Sequence, residues 1–313
     1  MFKSASAERN PFSSLVLLLL LIFAGAVLFT GIAFAIGISI YGAETMLQLT
    51  TGDPRNLGLI KLVQIISSIG MFVIPALIYA KLQNKDWLGY LKIIPVPAYL
   101  ALLTIVIMFS ASPALEYTMQ LNKGMKLPYF LKEVEAWMLQ QELKMELMTK
   151  QLIVMNSIPA LLVNLVMLAI IPAFGEELIF RGGFQQIFAR WFGNYHVAIW
   201  LTAIIFSSIH FQFYGFFPRM FLGALFGYLL VWSGSLWLPI LGHFLNNALA
   251  VFTAYWYQQQ GLSIDKMFEA EPSSAVQISI SFILFIISIR YFYRYTRKLN
   301  EINRESLDGS GMG

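Results

Sequence analysis

The sequence predicts an all-α, polytopic membrane protein of about eight transmembrane helices, with an amphipathic helix carried on a long loop. Three observations lead there. Hydrophobic residues make up 58% of the 313 and charged residues only 12%, against about 45–50% and about 25% in a soluble domain. Apolar runs long enough to cross a bilayer, roughly 20 residues each, recur along the chain. Between residues 118 and 150 the pattern changes to charges interleaved with Trp and Met, as in a helix lying at a membrane surface. With no Cys there is no disulfide framework, thiolate metal site or prenylation box. The net charge of +4 is small and forms no basic stripe, so lipid headgroups suit it and nucleic acid does not.

Lys3 and Arg9 precede an apolar run from Leu15 to Tyr41. Ala33-Phe-Ala35 offers a small-x-small cleavage site, but the run continues well beyond a signal peptide's roughly 7–15 apolar residues. An uncleaved first span is expected. The second span runs from Leu59 to Lys81 and the third from Val96 to Tyr117. Pro113 sits in the last turns of the third, which is expected to kink or end early there. In the amphipathic stretch, Lys132, Glu133, Glu135, Glu142, Lys144, Glu146 and Lys150 alternate with Trp137, Met138, Leu143 and Met148. A plain interfacial helix explains these better than a substrate-gripping one.

The fourth span starts near Leu152 and runs into Pro172-Ala-Phe-Gly-Glu-Glu-Leu-Ile-Phe-Arg181. Gly182-Gly183 is expected to break it, leaving residues 184–192 as a short interfacial helix. Spans follow over about 196–212, 218–232, 236–256 and 273–293. Pro218 and Pro239 fall in first turns, where a missing N–H is harmless. Gly223-x-x-x-Gly227 permits close helix contact, within the chain or between copies, so the oligomeric state stays open. The chain divides into a three-span region with its loop (1–150), a core (151–250), a last span with a basic end (251–298), and a tail (299–313) expected to be disordered.

Eight crossings put both termini on one side. Lys3, Arg9, Lys81, Lys85, Lys92, Arg181, Arg190, Arg290, Arg294, Arg297, Lys298 and Arg304 then share that side. Outside the 118–150 loop, the other side holds Arg55, Lys61, Arg219 and Lys266, with Asp265, Glu269 and Glu271. The positive-inside rule makes the termini cytoplasmic, in a plasma (inner) membrane. No internal repeat is visible, which weakens a transporter reading.

Against this background the ionisable residues in apolar segments stand out, since such groups are costly and mark function. Glu177 and Arg181 are spaced i,i+4 with the acid first, the better orientation for a helix pair; their plain reading is a structural salt bridge. Glu176, about 100° around the helix, is left facing elsewhere and needs a hydrogen bond, proton, metal or water. Two of the three His residues, His210 and His243, lie in separate apolar segments. Phe206 shares a face with His210, and Asn247 with His243; His196 receives no role. Neutral imidazoles with a carboxylate could bind a divalent ion, commonly zinc, and ionise its water. Without metal, Glu176 and His210 could orient and deprotonate a water between them. Asn247 could donate to the oxyanion. No His-Glu-x-x-His and no Gly-x-Ser-x-Gly occurs, which argues against a soluble-type zincin or serine hydrolase.

Glu176-Glu177-x-x-x-Arg181, Phe206-x-x-x-His210 and His243-x-x-x-Asn247, in this order on successive spans, resemble the three signature motifs of the CPBP family. These are the CAAX-protease and bacteriocin-processing intramembrane endopeptidases, also called Abi. The resemblance covers residues 150–250. It implies that Glu176 activates the water and His210 binds the same water or metal. His243 and Asn247 would stabilise the oxyanion or complete a metal site of Glu176, His210 and His243, while Glu177 and Arg181 hold the helix. The implied activity is hydrolysis of a peptide bond in a membrane-associated substrate, from a cavity expected to open on the side of the termini. Whether zinc takes part stays open. The alternative, from another class, is a non-proteolytic scaffold, immunity protein or proton-linked carrier on the same fold.

Overall fold

A computed structural model describes residues 10–47, 56–268 and 273–310. Lys3, Arg9, Arg55, Glu269 and Glu271 of the charge argument lie outside them, as does the tail beyond Ser310. Among the described residues there is no strand. The long helices are α1 (Pro11–Tyr41), α2 (Leu57–Gln83), α3 (Ala98–Gly124), α4 (Lys132–Leu152), α5 (Ile158–Phe192), α6 (Tyr195–Ser208), α7 (Phe216–Ser233), α8 (Trp237–Gln259) and α9 (Ala275–Ser310). Each expected span falls on one of them, and among the described residues six helices are long and apolar enough to cross a membrane. The other two expected spans differ for separate reasons. α6 has 14 residues, about 21 Å at roughly 1.5 Å per residue, short of a hydrocarbon core of about 30 Å. α8 has the length, 23 residues, but His243, Asn246, Asn247 and Gln258 dilute its apolar character.

The bundle has two distinct ends. At one, Phe12 meets Trp191 with ring centroids 6.2 Å apart, Gln186 donates to the Tyr90 carbonyl, Leu236 N–H to that of Lys92, and Asn300 to that of Trp232. Both ends of the described chain are therefore at this pole. At the other, Lys150 pairs with Asp265 at 2.6 Å, Glu142 accepts from Tyr214 N–H, Trp137 packs on Phe213 and Ser273 donates to Glu116. α4 lies across this second pole with none of its residues buried, as its interleaved charges imply. The carboxylates of Asp265 and Glu146 beside Lys150 hold its ammonium above the ordinary lysine pKa.

Three expectations are corrected. Gly182-Gly183 does not break the fourth span: α5 continues through it as a π-helical turn, Phe180–Phe184, and Gln185, Gln186, Ile187 and Phe188 are buried rather than interfacial. These glycines permit close packing instead. A Cβ on Gly182 would stand 2.7 Å from Leu91 Cδ2, and one on Gly183 2.8 Å from Leu18 Cδ2. Of the two outcomes expected at Pro113, a kink or an early end, the early end does not occur, since α3 runs on to Gly124. α9 extends to Ser310 across most of the tail expected to be disordered; Arg297 and Glu301 form an i,i+4 pair at 2.9 Å along it, the spacing that supports an exposed helix.

Two further π-helical turns, Ile69–Val73 and Val166–Ile170, each precede a proline, Pro75 and Pro172. A proline inside a helix lacks an N–H and clashes with the carbonyl four residues back. The widened turn is a common way for a long helix to absorb that insult without breaking.

Gly223-x-x-x-Gly227 serves contacts inside the chain. A Cβ on Gly223 would lie 3.2 Å from the Ala203 Cβ, and one on Gly227 2.8 Å from Gln185 Oε1 and 2.9 Å from Ile199 Cγ2. Their carbonyls are thereby accessible, and Arg181 and Gln185, one turn apart on α5, donate to Gly223 and Gly227 respectively. Gly227→Leu is expected to overpack the α5–α6–α7 contact and to destabilise by about 1–3 kcal/mol. A lowered unfolding midpoint in detergent, with unchanged oligomeric state on gel filtration, checks this.

Candidate active site

Five of the residues singled out in the sequence line one cavity of about 500 Å³, while Glu177 and Arg181 are buried outside it. Glu176 enters it from α5, His243 and Asn247 from α8, Phe206 from the end of α6 and His210 from the turn that follows. Counting residues along straight spans would leave His210 near the opposite membrane face from Glu176. Because α6 is short and stops at Ser208, His210 instead sits in the turn beyond it. Phe211, immediately after, has φ +52°, a left-handed conformation disfavoured for a bulky residue, and there the helical course ends.

Glu177 is the hub. It is fully buried, and its Oε1 accepts from Arg181 Nη1 at 2.8 Å and from His243 Nδ1 at 2.9 Å. The expected Glu177–Arg181 pair thus exists, with a second duty the sequence reading did not include. With Nδ1–H directed to a carboxylate, the bonding pattern assigns the His243 tautomer. Its Nε2 is 3.9 Å from Glu176 Oε2. His210 is fixed in the same manner, Nδ1 lying 2.7 Å from the Phe206 carbonyl. Each imidazole therefore has Nδ1 engaged by the protein and Nε2 left for chemistry.

Two phenylalanines hold this arrangement. Phe206 meets His210 edge-on at 5.1 Å and His243 at 6.0 Å, while Phe226 stacks on His243 at 5.5 Å and 16°. Both rings also flank the Arg181 guanidinium, 4.9 and 5.4 Å from their centroids. A desolvated guanidinium over aromatic faces is attracted by the ring quadrupoles. The role of Phe206 was legible from its spacing to His210; Phe226 carried no such mark.

Asn247 has a role set by the α5 proline. Pro172 offers no N–H to the Leu168 carbonyl four residues back, and Asn247 Nδ2 donates to that oxygen at 3.0 Å. Its Oδ1 accepts from Asn246 Nδ2 at 3.1 Å. One amide hydrogen of Asn247 is thus committed to tying α8 to α5, and the residue also lines the cavity.

Comparison with known proteins bears on this same region. Residues 158–249 match the family model of type II CAAX prenyl endopeptidases, Rce1-like. This segment belongs to the CPBP family. A curated relative, the uncharacterized protein YpbD of Bacillus subtilis (strain 168), is 28% identical over 104 residues, 32% of this chain and 48% of the relative. The chain thus spans about half the length of the curated relative it matches. No solved structure matches.

The CPBP segment supplies all the motif residues, but other walls of the cavity come from outside it. Ser112, Leu115, Glu116 and Met119 of α3 and Thr149 of α4 line it too. Within the segment, Asn246 and Arg219 line the cavity and were missed. Arg219 looked like an outer-side charge at the start of a span, and nothing in its sequence neighbours tied it to Glu176.

The geometry of the site bears on which groups could share an ion and on which pole the cavity adjoins. Among the described residues no group of three His, Cys, Asp or Glu side chains stands close enough together to hold a metal ion. His243 faces Glu176 through one nitrogen at 3.9 Å, its other nitrogen being bound to Glu177. The residues at hand fit a hydrogen-bonded water better than a zinc site, and no step below is routed through a metal. Met119, Thr149, Gly215 and Arg219 line both the cavity and an adjoining polar one of about 350 Å³ formed with Glu142, Glu146, Lys150 and Asp265. These belong to the α4 pole, so the site adjoins the pole opposite both ends of the described chain.

Arg181→Met is expected to strand a buried carboxylate and cost about 3–5 kcal/mol. The double variant Glu177→Leu/Arg181→Met should unfold at a higher temperature than Arg181→Met alone. Thermal unfolding of the three purified proteins tests the coupling.

Proposed function

We propose that the chain is an intramembrane endopeptidase that cleaves a membrane-associated protein or peptide with a glutamate-activated water. The carrying observation is Glu176 facing His243 Nε2 at 3.9 Å across a cavity that also holds His210. That separation is too long for a direct bond and leaves room for a water that donates one hydrogen to Glu176. In this reading Glu176 takes a proton from the water as its oxygen attacks the scissile carbonyl carbon. The tetrahedral intermediate then collapses as that proton passes to the leaving amine. His210, its Nδ1 bound to Phe206, accepts from the water through Nε2 and fixes its line of attack. His243 is oriented by Glu177 as catalytic histidines commonly are by a carboxylate. The other amide hydrogen of Asn247 is the candidate oxyanion donor. The Rce1-like match supports the hydrolase class.

Removal of the general base by Glu176→Gln should lower cleavage by about 10²–10⁴-fold with folded protein at normal abundance. The measurement is a comparison of protein N-termini in cells carrying wild type or the variant. Termini that vanish with Glu176 name the substrate; an unchanged set at equal protein level points to the scaffold or carrier reading instead. Activity recovered in this way should persist in 1,10-phenanthroline, whereas loss restored by zinc would return the metal mechanism.

For orientation we propose cytoplasmic termini in a plasma membrane, from the Lys and Arg at the terminal pole: Lys81, Lys85, Lys92, Arg190, Arg294 and Lys298. The cavity then faces away from the cytoplasm. The chain has no Cys, so single cysteines report cleanly. Lys144→Cys should react with a membrane-impermeant maleimide on intact cells and Lys85→Cys only after permeabilisation. The reverse pattern would turn the cavity toward the cytoplasm.

A further inference from the structure

Glu176, His243 and Asn247 stand on long helices, whereas His210 stands in the connection from α6 to α7, residues 209–215. The bonds this connection makes within itself are short-range. Phe211 N–H donates to the Ser208 carbonyl and Gly215 N–H to that of Gln212. Phe211, next to His210, has φ +52°, a strained backbone that lasts in a bulky residue only where the surroundings enforce it. The surroundings do so from three directions. Ser207 Oγ donates to the Phe216 carbonyl at 2.6 Å and draws the two ends of the connection together. Asn122 of α3, itself buried, accepts from Phe217 N–H at 3.0 Å. α4 supplies the rest: Glu142 Oε2 accepts from Tyr214 N–H at 3.3 Å, and Trp137 packs on Phe213 with ring centroids 5.4 Å apart.

The dependence runs both ways. No residue of α4 is buried. At its C-terminal end Lys150 pairs with Asp265, and the Leu152 carbonyl accepts from Asn164. Elsewhere, among the described residues, the polar and aromatic ties of α4 to other elements are the two on the His210 connection. Glu135, Trp137 and Met138 also wall an apolar cavity of about 540 Å³ together with Phe211 and Phe213. Displacing the middle of α4 thus removes the outer support of a strained turn, which then relaxes and carries His210 with it. We infer that α4 is a positioning element of the active site: Trp137 and Glu142, seated on Phe213 and Tyr214, hold His210 at the cavity of Glu176 and His243. This rests on the endopeptidase reading for what His210 does, and not for where it stands. It gives a helix outside the CPBP segment a part in the reaction.

The chain has three histidines, so isotope-labelled histidine gives one imidazole NMR signal for each, assigned with His196→Gln, His210→Gln and His243→Gln. The full chain in lipid nanodiscs is compared with the double variant Trp137→Ala/Glu142→Ala. The His210 signal should shift or broaden, while that of His243, anchored by Glu177, and that of His196 stay in place. Trp137→Phe should keep the wild-type spectrum. On a substrate named by the comparison of N-termini, the double variant should lower kcat by about 10²-fold, the scale of a roughly 1 Å misplacement, with KM little changed. Should the double variant move all three signals, Glu142→Ala alone, which removes one bond, decides by the same criterion. A His210 signal that stays in place, or that moves only together with the other two in both variants, overturns the inference. A raised KM with that signal unmoved also overturns it and makes α4 a grip on the substrate. Failure of the endopeptidase reading would show differently, as a wild-type chain that cleaves nothing while its His210 signal still answers to α4.

Discussion

One carboxylate oxygen organises the middle of this protein. Glu177 Oε1 receives both Arg181 and His243, in a region where the pair is fully shielded from solvent. An ion pair so placed gains little net stability over apolar residues of similar shape, because desolvation offsets most of the attraction. Its value is in geometry. The carboxylate accepts in fixed directions, Arg181 carries the constraint across to the Gly223 carbonyl on α7, and His243 carries it to α8. Three helices are thereby set in register around the point where Glu176 meets His243. Loss of either partner leaves a charge with nowhere to go, so the arrangement holds together or fails as a unit.

The same logic explains why small residues and prolines cluster here. Close approach at Gly223 and Gly227 exposes carbonyls that a side chain at either position would cover. Pro172 withholds an N–H from the Leu168 carbonyl, and the Asn247 amide supplies what is missing. In each case an irregularity of the backbone creates an acceptor, and a polar side chain from another helix fills it. In an apolar medium unfilled acceptors are costly, so these interhelical bonds specify which helices lie together as much as they hold them.

The sequence made the helical class, the span positions and the convergence of Glu176, His210, His243 and Asn247 legible, for different reasons. The spans were legible because hydrophobic length is a local property. The convergence was legible only through the order of three motifs, since straight-span geometry placed His210 too far from Glu176. What it hid were the features set by contacts between distant segments. Gly182-Gly183 looked like a break because glycine's role in close packing is invisible without Leu91 and Leu18 opposite. Glu177 looked fully used by Arg181, since an i,i+4 pair is readable in one helix and a bond to α8 is not. Arg219 looked like a topological charge because its partner Gln212 lies in an irregular turn with no periodicity to read.

That last misreading bears on orientation. Arg181 was counted with the inner charges, yet it is buried within the bundle and cannot report on which side a loop lies. Arg219, counted with the outer ones, lines the cavity and is equally silent. What remains of the charge argument are the lysines and arginines at the two poles, Lys92 and Arg190 among them half-buried. Those at the terminal pole flank short connections, where the positive-inside rule is strongest, whereas those of α4 alternate with acids on one long segment. The proposed orientation, with cytoplasmic termini, rests on these, and it carries a consequence that the sequence alone opposed. The bonds joining α4 to the Phe213–Gly215 turn and to Asp265 put the mouth of the site at the other pole. Under that orientation the bilayer's far leaflet, and not the cytoplasm, is where a substrate would meet α4.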